Sequence, residues 1–79
     1  MDIHELNFIS FLFNDGYIMT TFKGNTVSFI DDESGEKFSI IYPGNMKTFL
    51  KELAALNISD DTSLCNIPTA AKAALYYIK

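Results

Sequence analysis

YIMTTFKGNTVSFIDDESGEKFSIIY, residues 17–42, decides the fold because turn chemistry interrupts it twice. Three runs rich in β-branched and aromatic residues flank Lys23-Gly24-Asn25-Thr26 and Asp32-Glu33-Ser34-Gly35. A two-residue Gly-Asn loop suits the primed turns that match strand twist, because Gly accepts positive φ freely and Asn tolerates it. That loop sets Phe22 opposite Val27, Thr20 opposite Phe29 and Ile18 opposite Asp31. The second loop has four residues with Gly last, and it sets Phe29 opposite Phe38 and Val27 opposite Ile40. Both turns put Ile18, Phe22, Val27, Phe29, Phe38, Ile40 and Tyr42 on one face. Turn chemistry and the two-residue side-chain period therefore agree on one antiparallel meander. The opposite face collects Tyr17, Met19, Thr21, Ser28, Ile30, Lys37, Ser39 and Ile41, a mixture of polar and apolar residues.

The flanking segments read as helices. In residues 2–15, Leu6, Phe8, Ile9, Leu12 and Phe13 share a broad arc of a helical wheel, with Phe11 the exception on the far side. Asp2 and Glu5 have capping-box spacing, and Asn14-Asp15-Gly16 reads as a helix stop. The rival is a fourth strand hairpinned through Asn-Asp-Gly, but alternation would leave both its faces apolar, so helix is preferred. Pro43-Gly44 breaks the chain, and Asn45 is a suitable N-cap for a helix over 46–56. Met46, Phe49, Leu50, Leu53 and Leu56 form its core stripe. Residues 57–66 read as a connector, with a short turn capped by Ser59. Pro68 suits the start of a last helix over 67–78, with a narrow inward stripe of Ala71, Ala74, Leu75 and Ile78. The expected fold is a single α+β domain: helix, three-stranded meander, two helices packed on the sheet.

Composition narrows the chemistry. Seventy-nine residues make one core, and 48% hydrophobic content with seven Phe is ample to pack it. No apolar run approaches the ~20 residues of a membrane helix, and Met-Asp-Ile-His-Glu is not the start of a secretory signal, so the expectation is cytoplasmic and off the membrane. Net charge is −4 and uneven. Residues 1–42 hold seven acids against two lysines, residues 43–79 three acids against four, and Arg is absent. Without a basic face, direct nucleic-acid binding is not expected.

Catalytic motifs are missing. His4, near the chain start, reads as a solvated side chain, and Cys65 as a small buried apolar one. A lone cysteine leaves no internal disulfide or thiolate metal cluster. Asp31-Asp32-Glu33-Ser34-Gly35-Glu36 lacks the ligand spacing of a calcium loop and reads as a polar hairpin tip. Asp60-Asp61 reads as part of a polar connector. No phosphate-binding glycine loop is present, so no cofactor and no metal are expected and the chain reads as non-enzymatic.

Two surfaces remain for a partner. One is the acidic tip (Asp31, Asp32, Glu33, Glu36) beside Met19 and Ile30; the other is the last helix around Tyr76 and Tyr77. Apolar residues rimmed by charge make an interface layout, and acids steer a basic partner. The competing arrangement lays the first helix across Met19 and Ile30 and buries them. The leading expectation is an interaction module on a larger protein with a basic surface. On the analogy of size and charge, this would be an inhibitor covering a nucleic-acid-handling surface, as phage anti-defence proteins such as anti-CRISPRs do. The absence of Arg and Trp, with abundant Ile, Phe, Asn and Lys, suits an AT-rich genome and its mobile elements. The alternatives are a structural homo-oligomer such as a homodimer, or a subunit of a larger assembly, joined through the mixed sheet face. A small ligand-binding protein or motif-free enzyme is the third reading.

Overall fold

The computed structural model describes residues 3–14, 16–58 and 62–78. The elements are α1 (Ile3–Phe13), β1 (Ile18–Lys23), β2 (Thr26–Asp31), β3 (Lys37–Ile41), α2 (Met46–Ala54), a 3-10 turn (Ser63–Cys65) and α3 (Asn66–Tyr77). The fold is α+β with its helices in the expected order. Asp2, Asp15, Ser59 and Asp60-Asp61, assigned above to a cap, a stop and a connector, lie outside the described residues.

The sheet order is β1-β2-β3, antiparallel throughout. Phe22 pairs with Val27, Thr20 with Phe29 and Ile18 with Asp31, then Phe29 with Phe38 and Val27 with Ile40. Gly24 takes φ 61°, while no non-Gly residue among those described has positive φ. The first hairpin therefore uses the primed turn that needs positive φ only at its first central residue, and Asn25 is spared. The second closes through the Asp31 amide donating to the Glu36 carbonyl (2.8 Å) and the Gly35 amide donating to the Asp31 carbonyl (2.9 Å).

The helices lie on one side of this sheet. Ile9 and Phe13 of α1 are buried in the same core as Val27 and Phe29, and the Phe13 ring meets the Phe29 ring edge-on at 5.2 Å. The alternative in which α1 crosses the mixed face is thus overturned: a helix seated on Phe29 cannot also cover Met19. Asn45 caps α2, its side chain accepting from the Thr48 amide at 2.9 Å. Phe49, Leu50 and Leu53 are fully buried, but α2 packs mainly on α3 rather than across the sheet. α3 contributes Ile67, Ala71 and Ala74 to the same core, and small alanines let helix axes come close. Phe38 and Ile40 consequently stay only half-buried. The helices end at Ala54 and Tyr77 rather than at 56 and 78, a difference ordinary for fraying ends.

Two polar contacts tie the layers together. Tyr42, buried against Phe49 with ring centroids 5.3 Å apart, donates its hydroxyl to the Glu5 carboxylate of α1. Asp31, at the end of β2, accepts from the Ser63 amide in the 3-10 turn. One core-facing hydroxyl is not matched: Thr20 Oγ1 is buried with no hydrogen-bond partner among the described residues. A buried unpaired hydroxyl costs free energy that an isosteric methyl does not. Thr20→Val should therefore raise stability by about 1 kcal/mol in chemical denaturation. A lower midpoint for the variant would show that the hydroxyl is paired.

Candidate interaction surface

The mixed sheet face is built in rows by the register. Met19, Ile30 and Lys37 form one row; Thr21, Ser28 and Ser39 the next; Lys23, Thr26 and Ile41 the third. Ser28 and Ser39 share a hydrogen bond at 2.8 Å between their hydroxyls. Small paired serines in the middle of the face offer no seat for an apolar helix stripe, and lysines stand at two corners. Nothing among the described residues covers this face: Met19 is 52% exposed and Ile41 69%.

At one end of this face the chain turns from α1 into β1. Gly16 takes φ 96°, a backbone conformation that L side chains rarely adopt, and so lets the chain reverse there. The Asn14 side chain accepts from the Thr20 amide at 3.0 Å, and the Asp32 amide donates to the Tyr17 carbonyl at 2.8 Å. These bonds hold the walls of an open notch of about 260 Å³ lined by Asn14, Gly16, Tyr17, Ile18, Met19 and Asp32. It is apolar on its Tyr17 and Met19 sides and acidic at Asp32. A lysine or arginine side chain has matching parts, an aliphatic stem and a charged tip.

The four acids of the tip do not share one role. Asp31 is buried, 3% exposed, and its carboxylate points inward. Its Oδ2 accepts from the Ser63 amide at 2.7 Å, and its Oδ1 from the Glu33 and Ser34 amides at 2.8 and 3.1 Å. The Ser63 amide above all, with those of Ser34 and Glu33, holds the carboxyl below its usual pKa of 3.8, against the opposing effect of burial. Asp32, Glu33 and Glu36 are exposed and make up the acidic surface, with Ile30 half-buried beside them. The sequence signal for this split was available: Asp followed by turn residues commonly bonds its own backbone two residues on. The reach to Ser63 had no such signal.

The remaining candidates stand apart from the tip in the chain. Tyr76 and Tyr77 are 82% and 89% exposed on the last turn of α3. His4 is exposed on α1. Cys65 is half-buried rather than buried, at the start of α3, with its Sγ 4.0 Å from Asn66 Oδ1. Among the described residues no group of three or more His, Cys, Asp or Glu is placed to hold a metal ion, and no helix is long and apolar enough to cross a membrane. No family model matches the chain, and no curated protein or solved structure is significantly similar to it.

Proposed function

We propose that this chain is a non-enzymatic interaction module that seats a basic protein surface on the acidic end of its open sheet face. The observation that carries the reading is the notch itself. Exposed Tyr17 and Met19 line one recess together with exposed Asp32, on a face that no helix among the described residues covers. A partner lysine or arginine fits with its stem on the apolar wall and its charge on Asp32. Glu33 and Glu36 extend the negative potential and speed encounter with a positive surface. Surfaces that handle nucleic acid carry Lys and Arg arrayed for phosphates, so a module of this charge acts there as an inhibitor by occupancy. The phage anti-defence type, anti-CRISPRs included, is the instance that size and charge fit. The chain itself, with no Arg and a net charge of −4, leaves nucleic acid to its partner.

The test is affinity capture across a salt series with the wild type and with a variant carrying Asp32→Lys and Glu33→Lys together. Both side chains are exposed, so the variant should keep the wild-type melting curve. The expected partner is basic, elutes as salt rises, is displaced by nucleic acid and is lost from the variant. Capture of the same partner by the folded variant at every salt concentration would refute the proposal.

A further inference from the structure

A second apolar surface lies on the helical layer, separate from the sheet face. Between α1 and α3 runs a groove of about 430 Å³, walled by Phe8, Phe11 and Leu12 on one side and by Ala70, Ala73 and Tyr77 on the other. Each wall repeats at helical spacing, the pattern of a packing seam, and yet the seam faces outward. Phe11 is 81% exposed and Tyr77 89%. Among the described residues no charged side chain lines the groove.

We infer that the groove is the dimer interface between two copies of this chain, with α1 of each copy laid on α3 of the other. Three features select a second copy over other occupants. The walls are unequal: bulky rings stand on α1 and alanines on α3. A two-fold axis across the groove therefore places Phe11 of each copy over Ala70 and Ala73 of its mate, so one knob and one hole are used twice. The groove is also uncharged, whereas the exposed acids of the hairpin lie on the sheet. Among the described residues, two copies of net charge −4 thus meet without carboxylates facing each other across this seam, and a basic partner finds no counter-charge there. Lastly, the area is adequate. Four large exposed rings, two from each copy, bury roughly 600 to 1,000 Å² between them, and the alanines and Leu12 that they cover on the mate add to this toward the ~1,200 Å² at the low end of stable interfaces. The resulting order of layers is sheet, helices, helices, sheet, which leaves both open sheet faces outward. A homo-oligomer joined through the sheet face is a different arrangement.

The experiment is sedimentation equilibrium on the wild type and on Phe11→Lys and Ala73→Glu, alone and mixed in equal amounts, with helix content followed by circular dichroism. Both substitutions are at exposed helical positions. The wild type should be a dimer that dissociates on dilution, and each variant alone a folded monomer. In the mixture, the lysine of one chain meets the glutamate of the other at one site while the second site remains native, so dimers should return. A wild type that stays a monomer at every concentration overturns the inference and leaves the groove to a helix of another protein. A dimer untouched by either variant overturns it as well, and so does a mixture that fails to recover dimers.

Discussion

Phe29→Ala should cost about 3–5 kcal/mol, the range for truncating a fully buried phenylalanine. Phe29 is 0% exposed at the centre of the middle strand. Its ring packs in a T-shaped contact with Phe13 of α1, and its strand neighbours are Thr20 and Phe38. Removing it opens a cavity between the two layers and leaves α1 without its main seat on the sheet. A domain of this length buries only about 60% of its unfolded surface, so its total stability belongs near the low end of ~5–15 kcal/mol. The expected observation is a chain largely unfolded at room temperature, or a melting temperature far below wild type. Phe29→Leu should be milder, because most of the volume is kept. An unchanged melting temperature for Phe29→Ala would mean that the two layers do not meet at this ring.

Asp31 offers the second large effect, and a pair of substitutions divides its roles. In Asp31→Asn, one oxygen remains to accept from the Glu33 and Ser34 amides, so the hairpin turn should survive. The amide nitrogen then faces the Ser63 N–H, a donor against a donor, and the link across 32 positions is broken. Asp31→Ala removes both sets of bonds and should be the less stable of the two. The pH dependence has a fixed sign. The folded carboxyl titrates below its usual value of 3.8, so its contribution is complete above that value and is lost as pH falls through the lowered one. The wild type should therefore lose stability in that acid window, and Asp31→Asn should lose less there while starting from a lower value at neutral pH. Hydrogen exchange gives a local readout: the Ser63 amide should exchange faster in Asp31→Asn. Equal protection of that amide in both proteins, with an unchanged acid limb, would show that the link contributes nothing.

The acidic cluster shows why the surface was less legible than the fold. Asp31, Asp32, Glu33 and Glu36 read as one charged tip, but one of the four is a buried structural acceptor and three are exposed. Composition counts charges without their direction. Strand alternation did place Asp31 opposite Ile18 on the core-facing side, which was the available hint. Ser28 and Ser39 were a second hint. Small polar serines in adjacent mid-strand positions offer little apolar surface for a helix stripe to bury. The groove was half legible: Tyr77 on the last helix was already a candidate, whereas Phe11 on the facing wall stood out only as an exception on a helical wheel.

The sequence alone determined what depends on neighbours in the chain. Gly24 at a turn, Gly35 ending a loop and side chains alternating every two residues left one register, and every pairing followed from it. Asn45 and the Met46 to Leu53 stripe placed α2 in the same way, because capping and helical period act within a few residues. Tertiary structure alone decided the side of the sheet on which α1 lies. Apolar residues occupy most of the circumference of α1, so its periodicity selects no single inward face. The choice fell to the seat that Phe13 finds against Phe29. It also decided the bond from Asp31 to Ser63 and the seam between Phe11 and Ala73, since each depends on segments far apart in the chain meeting in space.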